Sequence, residues 1–291
     1  MNREIVVGYD GSTHADEALV WAARAARRRH APLRIVHVAR TFLDGYVIAD
    51  RPSDLTAQVG GQVLADGIER LRAIDPDLEV TTQLEPQDSV AAVLTEASRN
   101  AGLLVVGSRG RGGFAGLLLG SVSVTVASHA HCPVVVVRTN PATAGEPGRP
   151  VVVGVDGSPA SEGAISFAFE AASLRHAPLT AVHCWTDPAG MGPVPAYTAV
   201  LGDPDPTEEF ERSLLGERLA GWGEKYPDVT VERVLSRQGA AFALGDLAST
   251  AQLLVIGTRG HAGLAGLLAG STGQTLIGHS SVPVVVVRPP R

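Results

Sequence analysis

The sequence consists of two copies of one unit, each about 140 residues long. The segment Ile5–Ser12 (IVVGYDGS) matches Val151–Ser158 (VVVGVDGS), and Leu103–Gly107 (LLVVG) matches Leu253–Gly257 (LLVIG). A repeat of this length is too long for one unit of a solenoid and has the size of a domain. The chain of 291 residues is therefore predicted to fold as two domains of the same architecture.

The limits of the domains follow from the repeat and from composition. Residues 139–149 (TNPATAGEPGR) are rich in Pro, Gly and small polar residues, which is typical of a linker. We therefore place domain 1 at residues 1–138 and domain 2 at residues 150–291.

Short runs of Val, Ile and Leu alternate with longer stretches of helical periodicity in each copy. The strands predicted in the first copy are Ile5–Val7, Leu33–Val38, Leu78–Leu84, Leu103–Val106 and Val134–Val137. The helices predicted there are Ala15–Arg29, Val90–Ala101 and Val122–His129. Such an alternation favours a doubly wound α/β domain whose parallel strands are buried on both faces. Ser12 and Ser158 are predicted to cap the first helix of each copy.

Composition and charge narrow the classes of function. The net charge of −6 argues against a basic face for nucleic acid. The apolar runs are far shorter than the roughly 20 residues of a membrane helix, and no secretory h-region follows Met1. With Cys132 and Cys184 alone, no disulfide framework is predicted. We expect a cytoplasmic protein that binds neither nucleic acid nor membrane.

A glycine pattern occurs near the end of each copy. The pattern is Gly-x2-Gly-x9-Gly-Ser, and its members are Gly107, Gly110, Gly120 and Ser121, then Gly257, Gly260, Gly270 and Ser271. Glycine lets the backbone turn tightly and approach a ligand closely. The last glycine precedes a predicted helix, whose free N-terminal amides favour an anion. The pattern therefore predicts a loop that binds phosphate.

An aspartate ends the first predicted strand of each copy. Asp10 and Asp156 occupy these positions, and each glycine pattern begins where the fourth strand ends. In a sheet of order 3-2-1-4-5 the ends of strands one and four are adjacent, and ligands bind at such a switch point. We therefore predict one crevice per domain, formed by the aspartate and the glycine loop together.

Other phosphate and catalytic motifs do not fit. A Walker A loop needs a lysine after its glycines, but the single lysine of the chain is Lys225, far from either loop. The dinucleotide pattern Gly-x-Gly-x-x-Ala that begins at Gly110 is broken in the second copy by Ala262. The sequence around Ser271 is not the nucleophile elbow of a serine hydrolase. We predict neither catalytic residues nor a protein metal site.

With Val-Gly-x-Asp-Gly-Ser near the start of each copy and the glycine pattern near its end, the chain resembles the universal stress protein family, in particular its tandem ATP-binding members. The resemblance implies a five-stranded parallel sheet of order 3-2-1-4-5 with four helices in each domain. It also implies a pseudo-twofold between the domains, with Val134–Val137 paired antiparallel to Val284–Val287. A homodimer or an intramolecular pseudo-dimer is the expected assembly.

The same resemblance implies the ligand and its contacts. ATP, accompanied by Mg²⁺, would place its ribose and adenine beside Asp10 or Asp156 and would bond the backbone of Val38 or Cys184 through adenine. The residues implied to hold phosphates and ribose are Gly107, Arg109, Gly110, Gly120, Ser121, Val122 and Ser123, then Gly257, Arg259, Gly260, Gly270, Ser271 and Thr272. Ser123 is replaced by Gly273 in the second copy, so weaker binding is expected there.

Several functions remain open from the sequence. The first is a nucleotide sensor in stress response or growth arrest, in which ATP biases loops such as 40–54 and 186–206 toward an unknown protein partner. The others are a slow Mg²⁺-dependent ATPase, a cyclic-nucleotide binder and a flavin-binding α/β protein. The absence of a catalytic carboxylate and of a lysine in the motif favours binding, with weak hydrolysis of ATP at most.

Overall fold

The chain divides into two compact units. The first unit comprises Met1–Pro141 with Ile277–His279 and Pro283–Val286, and the second comprises the remaining residues. A computed structural model of the protein describes residues 3–39, 42–43, 46–47, 52–87, 89–111, 119–138, 148–185, 206–258 and 271–288. The predicted linker, residues 139–149, lies mostly outside these described residues.

The first half of the chain is an α/β domain. Its strands are β1 (Ile5–Gly8), β2 (Leu33–Ala39), β3 (Phe42–Leu43), β4 (Tyr46–Val47), β5 (Val80–Pro86), β6 (Leu103–Gly107) and β7 (Val134–Val137). Its helices are α1 (Thr13–Arg29), α2 (Pro52–Ile74), α3 (Val90–Ala97) and α4 (Ser121–His129). The sheet runs β5-β2-β1-β6-β7 with all four pairs parallel. This is the order 3-2-1-4-5, as predicted.

The second half repeats this order. Its strands are β8 (Val151–Val155), β9 (Leu179–Cys184), β10 (Val231–Ser236), β11 (Leu253–Gly257) and β12 (Val284–Val287). Its helices are α5 (Pro159–Ser173), α6 (Pro206–Arg218), α7 (Trp222–Lys225), α8 (Ala240–Ala248) and α9 (Ser271–His279). The strands follow the order β10-β9-β8-β11-β12, which confirms the tandem fold.

Within the first compact unit, β7 has a second neighbour besides β6. Val134, Val135 and Val136 pair antiparallel with Val286, Val285 and Val284, which belong to the same unit. This is the strand pairing that the family resemblance implies. The pairing gives the apolar strand β7 hydrogen-bond partners on both sides, so it is not an exposed edge.

The strands are apolar because both faces of the sheet are covered. In the first half, α1 contacts α2, and α3 contacts α4, and the two pairs cover opposite faces. All four residues of β7 are buried, as are Leu103–Val106 of β6. The small residues on the buried side of α1 let this helix approach β1 and β6 closely. The carboxyl ends of β1 and β6 are thereby fixed side by side.

The structure differs from the sequence prediction at several elements. The helix predicted over Val90–Ala101 ends at Ala97, and the predicted strand Leu78–Leu84 lies at Val80–Pro86. Helix α2 was not predicted, and its first turn and the β3–β4 ribbon occupy part of the predicted loop 40–54. The second predicted loop, 186–206, lies almost entirely outside the described residues.

Helix α7 is an addition of the second half to the predicted four helices. Trp222 of α7 stacks on the buried Phe169 of α5 at 5.4 Å between ring centroids, and Tyr226 stacks on the same ring at 5.7 Å. Lys225 lies 5.0 Å above the Trp222 ring. These aromatic contacts, worth about 0.5–1.5 kcal/mol each, anchor the connection that leads to β10.

Candidate functional site

The carboxylate of Asp10 joins the end of β1 to the glycine loop of the first domain. Its Oδ1 accepts the amide of Ser12 at 3.0 Å, and its Oδ2 accepts the amide of Arg111 at 2.8 Å. The second bond connects residues 101 positions apart in the sequence. The structure thus brings together the two features that the strand order predicts to meet.

Gly110 is required by the position of the Asp10 carboxylate. A Cβ at Gly110 would lie 2.5 Å from Asp10 Oδ2, well inside van der Waals contact. Any larger residue would push the carboxylate away and break its bond to the Arg111 amide. This glycine therefore permits the contact between the strand end and the loop.

Gly107 is required by helix packing. A Cβ there would lie 2.7 Å from both the carbonyl carbon and the carbonyl oxygen of His14, in the first turn of α1. The sequence motif predicted close approach of a ligand at this glycine, whereas the structure shows close approach of the α1 main chain. Substitution of Gly107 would therefore disturb the domain as well as the site.

Helix α4 presents its N-terminus beside this loop. Gly120 is the N-cap residue, and no side chain caps the helix. The Gly120 amide donates to the Ser108 carbonyl at 2.8 Å, which holds the start of α4 against the loop. Ser121 is exposed and Val122 is half-buried, so the first-turn amides face an accessible region. This geometry suits an anion.

Ser123 has a different partner from the one the resemblance implies. Its hydroxyl donates to the carbonyl oxygen of Gly107 at 2.7 Å, and the side chain is only 3% exposed. In this arrangement the hydroxyl proton ties α4 to the end of β6 and is not available to a phosphate. Gly273 of the second copy has no hydroxyl, so it cannot make the corresponding hydrogen bond.

Arg109 is turned toward α1. Its Nε and Nη2 lie 3.2 and 3.0 Å from His14 Nε2. Burial lowers the pKa of His14, and the charges of Arg109 and Arg138 lower it further. The resemblance places Arg109 among the phosphate ligands, but here its guanidinium is bound at the N-terminal turn of α1.

Strand β2 reaches the same crevice. Its register with β1 ends at Val36, whereas its register with β5 continues through Val38 to Ala39. The end of β2, with Val38, therefore projects past the end of β1. The ring Nδ1 of His37 contacts the Tyr9 carbonyl at 2.8 Å and fixes this end of the strand to the end of β1.

The corresponding aspartate in the second domain has other partners. Oδ1 of Asp156 accepts the amide of Ser158 at 3.0 Å, the hydroxyl of Ser158 at 2.6 Å and the hydroxyl of Ser161. Ser158 was predicted to cap α5, but its hydroxyl donates to the carboxylate and makes no capping bond. Ser12, in contrast, caps α1 by accepting the Ala15 amide at 3.3 Å.

The structure describes part of the remaining second site. Cys184 ends β9, Gly257 ends β11, and Ser271 and Thr272 begin α9. Arg259, Gly260 and Gly270 lie outside the described residues. Burial raises the pKa of the Cys184 thiol, which keeps it a neutral side chain. The second site is thus described at its strand ends and at the start of α9.

Three residues near the two sites were not singled out in the sequence. His14 and Ser161 lie in the first turns of α1 and α5, at positions where the copies differ from each other, and Arg138 follows β7. Comparison of the two repeats identifies two of these residues as differences between the copies, because His14 corresponds to Ala160 and Ser161 corresponds to Ala15.

No group of three or more His, Cys, Asp or Glu side chains among the described residues is arranged to hold a metal ion. None of the described helices combines the length and the hydropathy that a membrane crossing needs.

Comparison with known proteins agrees with the fold and the motifs. The model of the universal stress protein family matches residues 1–138 and again residues 148–288. A universal stress protein of Mycolicibacterium smegmatis is 38% identical over 98% of this chain and 97% of its own length. The crystal structure of a universal stress protein from Archaeoglobus fulgidus covers 99% of this chain and 96% of its own, with a TM-score of 0.73 and 19% identity. A crystal structure of another universal stress protein, in complex with cAMP, covers 47% of this chain with a TM-score of 0.36 and 29% identity. The chain belongs to the universal stress protein family, as two tandem domains of that family.

Proposed function

We propose that each domain binds one adenine nucleotide, ATP with Mg²⁺, and that the protein acts as a nucleotide-dependent sensor in stress response or growth arrest. The observation that carries this proposal is the bond between Asp10 and the Arg111 amide, which joins the end of β1 to the glycine loop, while the Gly120 amide joins that loop to the start of α4. The domain limits 1–138 and 150–291, with the linker between them, form part of the proposal.

The roles of the residues follow from their chemistry. Asp10 accepts one amide on each oxygen, so each oxygen keeps a lone pair for a ribose hydroxyl. The backbone of Val38 would pair with the adenine edge at the end of β2. Ser121, Val122 and the amides of the first turn of α4 would hold phosphate oxygens. In the second domain Asp156, Cys184, Ser271 and Thr272 would take these roles, together with the glycine loop.

Mg²⁺ would arrive with the nucleotide. The described residues offer no cluster of carboxylates or imidazoles for an independent ion, and the motif contains no lysine. A cation held by the phosphate oxygens would supply the missing positive charge. This arrangement favours retention of the nucleotide over its hydrolysis, because no side chain of the described site is placed as a general base.

A variant at Gly110 tests the site while leaving helix packing intact. Among the described residues, the Gly110→Ala methyl group would meet only the end of the Asp10 side chain, so the aspartate must leave the loop. We expect nucleotide released from the natively purified and then denatured protein to fall from about two to about one per chain. Gly61→Ala is the control, since a Cβ at Gly61 meets nothing within 4 Å.

The same extraction distinguishes the alternatives. Release of cAMP would identify a cyclic-nucleotide binder, and a yellow chromophore would identify a flavin protein. Unchanged occupancy in Gly110→Ala, with the circular dichroism of the native fold, would contradict the proposed site in domain 1. Conversion of bound ATP to ADP during native incubation would show the slow ATPase instead.

A further inference from the structure

Three basic side chains from three elements meet at the first turn of α1 in the first domain. They are His14 of α1, Arg109 after β6 and Arg138 after β7, and we call them the α1 cluster. The guanidinium of Arg109 lies 3.0 and 3.2 Å from Nε2 of His14. Because a guanidinium can only donate, this ring nitrogen accepts, and the imidazole is neutral with its proton on Nδ1.

Arg138 has an unusual environment for an arginine. Its Nη1 is buried and has no hydrogen-bond partner among the described residues. None of the ion pairs found among the described residues includes Arg109 or Arg138. Burial lowers the pKa of Arg138, and the charge of Arg109 lowers it further. A buried guanidinium nitrogen without an acceptor is costly and rare, so this arrangement calls for an anion.

The nearby carboxylates do not meet this need. Asp10 and Glu17 both favour protonation of His14, but weakly compared with the effects that oppose it. Both oxygens of Asp10 already accept backbone amides, from Ser12 and Arg111. The α1 cluster therefore has a net positive charge within the described structure.

The α1 cluster lies on a different face from the start of α4. Helix α1 packs on β6 and β7 and contacts α2. Helix α4 packs on β7 and contacts α3. A ligand of the α1 cluster would consequently approach the loop from the α1 side.

We propose that the α1 cluster is a binding site for a phosphate group, with Arg109 and Arg138 as charge-assisted donors and His14 as a titratable third member. The planar guanidinium suits a phosphate because it can present two parallel N–H donors. Two sources of the phosphate share this chemistry, inorganic phosphate and the terminal phosphate of a nucleotide in the same domain. The second source rests on the proposed function, and the first does not.

The test is titration of the full-length protein with inorganic phosphate, followed by calorimetry and by the NMR resonances of His14. Arg138→Met should weaken phosphate binding at least about tenfold, the loss expected for a charge-assisted hydrogen bond. Arg288→Met, at the corresponding position of the second repeat, is the matched control and should bind phosphate normally. Phosphate should also raise the pH at which His14 titrates in the unmodified protein.

A second variant keeps the proposal testable if Arg138→Met does not fold. His14→Ala reproduces the second repeat, which has Ala160 at this position, and leaves both arginines in place. The pH dependence of phosphate binding to this variant should reduce to that of the second ionisation of phosphate itself, without the additional contribution from His14 that the unmodified protein shows. No saturable binding of phosphate, or equal binding by the Arg138→Met and Arg288→Met proteins, would overturn the proposal.

Competition separates the two sources. Displacement of phosphate by ATP but not by adenosine would identify the terminal phosphate as the occupant, whereas simultaneous binding of phosphate and ATP would identify free phosphate. Both outcomes require the α1 cluster. Failure of ATP to bind would contradict the proposed nucleotide function and would leave the result with inorganic phosphate intact.

Discussion

Two glycines of one motif are required by different neighbours. Gly107 is opposed by the main chain of His14, and Gly110 is opposed by the carboxylate end of Asp10. A main chain within a packed helix cannot move aside cheaply, while a carboxylate can rotate. Gly107→Ala would therefore affect the stability of the domain, and Gly110→Ala would affect its crevice. The glycines cannot be treated as equivalent phosphate ligands.

The hydrogen bond from Ser123 to the Gly107 carbonyl can be tested by its effect on stability. Ser123→Ala should lower the free energy of unfolding by about 1–2 kcal/mol, because the Gly107 carbonyl loses a buried donor. Urea denaturation would measure this change. Ser128→Ala is the control, since the Ser128 hydroxyl donates to the Val124 carbonyl within its own helix and should contribute little. Equal losses in the two variants would show that the bond to Gly107 has no special role.

These residue roles were only partly predictable from the sequence. The pairing of Asp10 with the glycine loop follows from the strand order, which the motifs and apolar runs predicted. The partners of Gly107, Arg109 and Ser123 could not be predicted from the sequence, because each depends on which helix packs over the loop and at what distance. A spacing motif specifies that small residues are needed and does not specify which atoms approach them.

At the scale of elements, α2 shows why a helix can be missed. Gly60 and Gly61 lie inside it and lower its helix propensity by about 1 kcal/mol each. A Cβ at Gly60 would lie 2.6 Å from Leu84 of β5 and 3.3 Å from His37 of β2. The glycine allows α2 to pack directly on these strands. Tertiary packing thus outweighs the low helix propensity of these two glycines.

An ion pair joins the last turn of α1 to the residue that follows α2. Nη1 of Arg27, in the last turn of α1, lies 2.5 Å from Oδ2 of Asp75, which follows α2. The hydrogen bond from Arg27 and its charge hold the pKa of Asp75 below its ordinary value. The charged form of Asp75 is favoured in the folded state, so this pair stabilises the fold above the unfolded pKa.

The pair leads to a pH-dependent prediction. Arg27→Ala should be less stable than the unmodified protein at neutral pH, and the difference should vanish as the pH falls from the ordinary pKa of an aspartate through the lowered pKa of Asp75. Chemical denaturation at a series of pH values would measure it. In an Asp75→Asn background the same substitution should have no pH-dependent effect. A difference that persists in acid would assign the role of Arg27 to packing.

Over the whole molecule, the two copies share a fold and differ in the described hydrogen bonds of their aspartates and serines. Asp10 accepts an amide of its own glycine loop, and among the described residues Asp156 accepts hydrogen bonds from serines of the following turn and helix. The hydroxyl of Ser123 has no counterpart at Gly273. The two copies therefore share the apolar strands and the sheet order, while the described hydrogen bonds around their aspartates differ.

We expect the two crevices to bind ATP with unequal affinities. Three donors already occupy Asp156 Oδ1, which leaves it less able to accept a ribose hydroxyl. The loss of about one neutral hydrogen bond corresponds to a 2- to 13-fold weaker site, at about 0.5–1.5 kcal/mol. Calorimetry should give a biphasic isotherm, and Gly110→Ala should retain only the weaker phase. One class of two identical sites would contradict this expectation.

The bond between Asp10 and Arg111 has a consequence for protein synthesis. Asp10 leaves the ribosome 101 residues before its partner, and at about 5–20 residues per second it waits several seconds for the loop to be made. During this interval β1 and α1 can form, yet the crevice has only one wall. A ligand that needs both walls can be captured only after β6 has been added to the sheet, so its capture would come late in the synthesis of the first domain.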